Sequence, residues 1–199
     1  MKQLTLRLLL FVLLLLPSAG ARADYDPEAN SVLSLGGASY LSVVYNDMLN
    51  IQLVNSGAVS FSAWVRPTAS GSEMTIIGND RAFGYWFGLN AQGKLRYYPN
   101  PLNFYDGTAT IPTNTWTHVA VSFDAFKNNL RFYVNGSLDR QVNTGQTYLA
   151  YAYTDFRIGA DRQANSPSFY WTGQIDEVRV WSTDIDRKST RLNSSHVSQ

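Results

Sequence analysis

The chain has no cysteine among its 199 residues. Disulfides, thiolate metal sites and a cysteine nucleophile are therefore excluded. Histidine is nearly absent too, since His118 and His196 are the only two. There is no Gly-x-Ser-x-Gly elbow, no phosphate-binding glycine loop and no His-x-x-x-His pair, so the commonest hydrolase, nucleotide and zinc-protease arrangements have no residues to form them. Charge is sparse at 16%, below the roughly 25% of an average globular domain. No block of like charge suggests a nucleic-acid partner. No stretch between Asp24 and Ile185 shows helical periodicity.

The single long apolar run lies at the amino end. Lys2 and Arg7 flank the run Leu8 to Leu16, Pro17 breaks it, and Ala21-Arg22-Ala23 supplies small residues for cleavage. This pattern predicts a secretory leader over residues 1–23, removed before Asp24. The run is shorter than the about 20 residues a bilayer span needs. The expected product is secreted, extracellular or periplasmic, with no membrane insertion once the leader is gone. At the other end, Asp186 to His196 match the codon-by-codon translation of a common short-read sequencing adapter. Residues 186–199 are therefore expected not to be native, with further C-terminal domains lost beyond Ile185. Setting aside three basic residues at each end, and Asp186, leaves ten Lys or Arg against fourteen Asp or Glu, a net of −4 for residues 24–185. That length suffices for one well-buried domain.

What is present is turn and strand. Gly36-Gly37, Asn55-Ser56-Gly57, Ser70-Gly71, Asp106-Gly107 and Asn135-Gly136 punctuate short β-branched and aromatic segments. This spacing predicts an all-β, two-sheet antiparallel sandwich. Asn135-Gly136 predicts a two-residue hairpin, because both residues tolerate positive φ. The two-residue period sorts the strands into faces. Val59, Phe61, Ala63 and Val65 form one face of their strand, and Tyr85, Phe87 and Leu89 another. Leu95 and Tyr97 go in, as do Leu130, Phe132 and Val134. The opposite faces then carry Trp86, Arg96, Tyr98, Arg131 and Tyr133. Such non-core faces are usually more plainly polar.

Phe61-Ser-Ala-Trp-Val65, Gly84-Tyr-Trp-Phe-Gly-Leu89 with Gly93-Lys-Leu-Arg96, Trp116-Thr-His-Val-Ala120, the Asn135-Gly136 turn and Ile175-Asp-Glu-Val-Arg-Val-Trp181 occur in that order. Together they resemble the laminin-G-like, pentraxin-like group of concanavalin A-like jelly rolls over about Val32 to Trp181. The resemblance implies a jelly-roll sandwich and a binding module for a glycan or an extracellular protein. Jelly-roll glucanases of this architecture carry E-x-D-x-E on one strand face. Asp176 and Glu177 are adjacent and would point to opposite faces of a regular strand, so a non-catalytic module is expected. A structural role for this pair, near a bulge and beside Arg179, is the simpler reading.

Two sites follow. On the alternation rule, Trp86, Tyr98 and Tyr133 would form an aromatic platform for sugar rings, with Arg96 and Arg131 as hydrogen-bond donors. Further rings lie in loops: Phe104, Tyr105, Tyr148, Tyr151, Tyr153, Phe169, Tyr170 and Trp171. Packing under loops or on a neighbouring domain would explain the same rings. By order along the chain, Gly78-Asn79-Asp80 and Gly159-Ala-Asp161-Arg-Gln163 resemble the two pentraxin segments that meet around calcium. Carried over, the resemblance implies Ca²⁺ ligands at Asn79, Asp80, Asp161 and Gln163. Asp80–Arg162 or Asp161–Arg81 salt bridges would account for the acids without metal. A second cation position would join Asp176 to the N-terminal strand.

The adapter reading is testable on nucleic acid alone. The adapter begins with A before its GAT codon, so the Ile185 codon should be ATA. Independent reads of the locus that continue through Arg187 to His196 would overturn it.

Overall fold

In a computed structural model the described residues are 32–45, 57–146, 148–150, 152–163 and 166–185. The leader, the tail after Ile185, Tyr151 and the side chain of Gln163 lie outside them. The described residues contain fourteen strands and no helix. Sheet A has the spatial order β1 (Leu33–Gly36), β14 (Thr172–Trp181), β3 (Ala58–Pro67), β8 (Thr117–Asp124), β9 (Asn129–Val134) and β10 (Ser137–Asn143). Sheet B has the order β2 (Leu41–Val43), β11 (Phe156–Ile158), β4 (Met74–Gly78), β5 (Trp86–Leu89), β6 (Lys94–Asn100) and β7 (Asn103–Thr110). A two-stranded hairpin, β12 (Asp161–Gln163) and β13 (Ser166–Ser168), follows β11. Pairings in both sheets are antiparallel. This is the expected two-sheet jelly-roll sandwich.

The core lies between the sheets and uses the faces that alternation assigns. Val59, Phe61, Ala63 and Val65 from β3 meet Tyr85, Phe87 and Leu89 around β5, and Leu95 and Tyr97 from β6. Phe61 stacks on Tyr85 at 5.2 Å between centroids, and Tyr97 lies 6.1 Å from both Phe61 and Phe123. These rings tie the sheets together through offset and tilted contacts, which aromatic quadrupoles favour. Asn135 and Gly136 both adopt positive φ, 49° and 71°, as the β9–β10 hairpin requires. β14 carries a register shift between Asp176 and Arg179. Glu177 there has φ 46° and its carboxylate accepts from Arg179 at 2.8 Å.

The outer face of sheet A is covered by the chain itself. The Ile185 N–H donates to both Ser60 Oγ and Ser122 Oγ, at 3.1 and 3.2 Å. Ser60 Oγ donates to the Thr183 carbonyl at 2.7 Å. Asp184 accepts from Ser122 Oγ and from the Arg131 guanidinium. Ile185, Tyr133, Ala120 and Trp181 close into a small second apolar cluster. The segment after β14 is thus a strap laid across β3, β8 and β9.

His118 lies on this same outer face. It is buried against Trp64, 5.5 Å away edge-on, and neither ring nitrogen has a hydrogen-bond partner. Burial, and then the nearby Arg179 charge, push its pKa down to about 4. The unfolded chain binds this proton below about 6.5 while the folded one refuses it until about 4. Stability from a neutral His118 is therefore complete above pH 6.5 and is lost as pH falls toward 4. The stability gap between wild type and His118→Asn should shrink by roughly 3 kcal/mol across that window, read from urea melts at several pH values. A gap independent of pH would show that His118 reaches solvent. In the core, Phe132→Ala should cost about 3–5 kcal/mol. A loss under about 1 kcal/mol in the same melts would mean that β9 turns its other face inward.

Candidate functional site

The outer face of sheet B is covered differently, by a row of rings and guanidinium groups. Trp86 on β5 lies flat across Gly88, where an added Cβ would come within 2.7 Å of the indole and 2.1 Å of the Met74 carbonyl. The indole N–H donates to Thr75 Oγ1 at 2.8 Å. Tyr98 is directly opposite Trp86 on β6 and meets it edge-on, 5.8 Å away. Phe104 on β7 packs against Tyr98 at 5.3 Å. Arg81, from the β4–β5 turn, sits over Tyr98 at 5.0 Å and over Phe169 at 3.9 Å. Arg96 sits over Phe104 at 4.2 Å. The order across the face is therefore Phe169, Arg81, Tyr98, Phe104, Arg96, with cations held over ring faces as the aromatic quadrupole favours.

Two carboxylates lock this row. Asp106, opposite Arg96 on β7, takes a two-pronged bond at 2.6 and 2.8 Å. Glu73 bridges Arg81 at 2.5 Å and Arg96 at 2.8 Å. The paired acids hold the Arg96 guanidinium firmly protonated, with the Asp106 hydrogen bond the largest cause. Three of the five Arg96 N–H donors are committed here. Arg81, Arg96, Glu73 and Asp106 sum to zero charge. The surface is neutral, amphipathic and held rigid from below.

The alternation rule correctly puts Trp86, Arg96 and Tyr98 on one face, but the platform needs two corrections. Trp86 is fully buried, because Arg81, Tyr98 and Gly88 close over and under it, so it supports the surface and does not form it. Arg131 and Tyr133 are on β9, in the opposite sheet. Both face away from the sheet-B row, Arg131 bound to Asp184 and Tyr133 buried under the strap. Alternation gives the side of a strand and not the sheet it joins. Glu73, Arg81, Asp106 and Phe169 belong to this surface, and reading the strands by alternation misses all four. Only Asp106 carries a readable signal, as an opposite charge across the β6–β7 hairpin from Arg96.

At the end of β4 a second cluster forms. Asn79, Asp80 and Asp161 are all buried. Asn79 Oδ1 accepts from the Ala152 N–H at 2.8 Å, and its Nδ2 donates to the Thr154 carbonyl at 3.3 Å. Asp80 Oδ1 accepts from the Ala82 N–H at 3.2 Å. Asp161 Oδ2 accepts from the Arg81 N–H at 3.0 Å, while its Oδ1 is buried without a hydrogen bond of good geometry and the Arg162 N–H acts on the same carboxylate. Desolvation raises the Asp161 pKa to about 6, and the neighbouring Asp80 charge adds to it. Burial raises Asp80 as well, against the Ala82 N–H bond and then the charges of Arg162 and Arg157. The Arg81 guanidinium is committed to Glu73, so only its backbone reaches Asp161. The two sequence segments thus converge. Among the described residues there is no group of three or more His, Cys, Asp or Glu able to hold a metal. The oxygens on offer are two carboxylates, one amide and backbone carbonyls.

The sequence has no significant match among curated proteins. Solved structures share the fold. Domain 4 of AbnA, a GH43 extracellular arabinanase from Geobacillus stearothermophilus solved with arabinotriose, matches with a TM-score of 0.64 at 24% identity, over 88% of this chain and 82% of that one. The native heptameric SAP-like pentraxin from Limulus polyphemus matches with a TM-score of 0.61 at 14% identity, over 82% and 81%. The CBM40 of Ruminococcus gnavus IT-sialidase, bound to α2,3 sialyllactose, matches with a TM-score of 0.62 at 9% identity, over 82% and 98%. At these identities the likeness is one of fold. The family model described as the concanavalin A-like lectin/glucanases superfamily matches residues 35–188, and the chain belongs to that superfamily as a laminin-G-type (Laminin_G_3) domain.

Proposed function

We propose that this domain is an exported, non-catalytic module that binds carbohydrate or glycoconjugate on the outer face of sheet B. The observation that carries the reading is the row in which Tyr98 and Phe104 stand between Arg81 and Arg96. Tyr98 is half-buried and Phe104 is 50% exposed. The ring surface that Arg81 and Arg96 leave uncovered can take the C–H face of a sugar ring, and the spare guanidinium donors and carboxylate lone pairs can take hydroxyls. Arabinotriose on the arabinanase domain and sialyllactose on the CBM40 support a sugar as ligand for this architecture. The only acids on β14, Asp176 and Glu177, straddle a bulge, and Glu177 is paired with Arg179, which speaks against an acid–nucleophile pair on that strand.

Calcium is a further part of the proposal. The buried Asp161 Oδ1, without a hydrogen bond of good geometry and beside Asp80, fits a cation, which would compensate two desolvated carboxylates. Asn79, Asp80 and Asp161 would hold it, with carbonyls and water completing the six to eight oxygens calcium takes. A cation bound only by the folded chain stabilises it. Millimolar Ca²⁺ should raise Tm, more at pH 7.5 than at pH 5, because protonation of Asp161 below about pH 6 competes with the ion. The pair Asp80→Asn with Asp161→Asn should remove the shift. Identical melting curves in Ca²⁺ and EDTA would assign the cluster a purely structural role.

A glycan array identifies the ligand class, and silence across classes would favour a protein-interaction or adhesion module of a larger extracellular protein. With a ligand in hand, Tyr98→Ala and Phe104→Ala should each weaken binding about tenfold or more with Tm nearly unchanged. Trp86→Ala should instead destabilise the fold by about 3–5 kcal/mol. Full binding by Tyr98→Ala would remove the platform.

A further inference from the structure

One turn carries a chemistry that the ring row does not use. Asn135-Gly136-Ser137 is the one Asn-x-Ser or Asn-x-Thr triplet between Asp24 and Ile185. A second triplet, Asn193-Ser194-Ser195, lies in the tail expected to be foreign. With x other than Pro, such a triplet is the acceptor pattern for N-linked glycosylation of an exported chain. The pattern alone does not make a site, because the fold must also leave room for a sugar. Here it does. Asn135 and Ser137 are both exposed at the tip of the β9–β10 hairpin. The hairpin closes on itself, with Val134 opposite Ser137, and every residue from Gly57 to Gln146 around it is described.

The Asn135 amide also faces the right way. Its Oδ1 accepts from the His118 N–H at 3.0 Å, and its own backbone N–H donates to the His118 carbonyl at 2.8 Å. Only the oxygen of an amide side chain can accept from an N–H, so this bond fixes the orientation of the planar group. Nδ2 is left on the other arm, with no hydrogen-bond partner among the described residues. A sugar on Nδ2 keeps the amide carbonyl, so the bond to His118 survives the attachment. Asn79, Asn90 and Asn100 also hold turns through Oδ1, but all three are buried. The Nδ2 groups of Asn79 and Asn100 are spent on Thr154 and Gln146. Asn135 does the same structural work from an exposed position and with its nitrogen free.

We propose that Asn135 is an N-glycosylation site and that the exported domain carries a glycan there. The premise is the export that the leader predicts. The donor is an oligosaccharide linked to a polyprenyl pyrophosphate in the export membrane. Nδ2 attacks the first sugar at C1, and a bond from Nδ2 to C1 forms. The C1–O bond to pyrophosphate breaks, the lipid pyrophosphate leaves, and one Nδ2 proton passes to a base of the transferase. No oxidant or reductant is needed. The Ser137 hydroxyl is the second group that the transferase reads. Transfer takes place on the extended chain, and the hairpin then closes with Oδ1 on His118 and the sugar outside. The hairpin belongs to sheet A and the ring row to sheet B, so this attached glycan is distinct from any sugar the row would bind.

Secretion of the full chain from cultured mammalian cells tests this, with Asn193→Gln introduced so that the tail offers no acceptor. The secreted protein should run heavy on a gel and drop by one glycan on treatment with peptide-N-glycosidase. That enzyme converts the acceptor Asn to Asp, so in heavy-oxygen water the peptide spanning Asn135 should take up the label. Ser137→Ala should be secreted without the glycan and with the Tm of the deglycosylated protein, because the bond from His118 to Oδ1 is untouched. Ser137→Thr should keep the glycan. Asn135→Gln should lose the glycan and lower Tm as well, since its longer side chain gives up the His118 bond. Asn135 found bare in the secreted protein overturns the proposal, and so does a chain that stays inside the cell. A glycan that persists on Asn135 in Ser137→Ala overturns it too, since the triplet would then not be what is read.

Discussion

Two sheets, each one strand thick, can share only one core. Alternation sends Phe61, Phe87, Tyr97, Val121 and Phe132 inward, and every neighbour outward. The outward set then needs its own cover, and this constraint shapes the rest of the molecule. Sheet A solves it with covalent continuity, since the strap through Ile185 lies over Ser60, Ser122 and Tyr133. Sheet B solves it with side chains alone, in a neutral row of rings and ion pairs above Trp86. One face is thus crossed by the chain, and the other is covered by side chains alone.

Arg81 joins the parts of that second solution. Its guanidinium lies between Phe169 and Tyr98, its salt bridge runs to Glu73, and its backbone N–H bonds Asp161. The β4–β5 turn therefore links the ring row to the buried oxygen cluster. Asn79, the residue before Asp80, ties this corner to the segment around Tyr153. Two sites with different chemistry share a few neighbouring residues. A change at Arg81 would be felt at the platform and at Asp161 together.

Much of this architecture is legible in the amino-acid sequence. The inward faces of β3, β5, β6 and β9, the Asn135-Gly136 turn and the two-sheet class follow from period and turn chemistry, because burial acts on each strand locally. The convergence of Asp80 and Asp161 is what the pentraxin resemblance implies, and periodicity does not give it. Alternation gives Trp86 the right face but not the right depth, since the Arg81 guanidinium folds back over it from the preceding turn and Tyr98 closes on it edge-on from the neighbouring strand. It misplaces Arg131 and Tyr133 because sheet membership is decided by crossovers between strands, which leave no mark on the alternation within β9.

The central claim is that sugar contacts the row on sheet B. An NMR titration with the strongest glycan from an array tests it most directly, following the Nε–Hε signals of Arg81 and Arg96 and the ring signals of Tyr98 and Phe104. These four should shift together and saturate with one dissociation constant, while Arg131 Nε–Hε and the Tyr133 ring stay still. Shifts confined to Arg131, Tyr133 or the strap would place the ligand on sheet A and contradict the account.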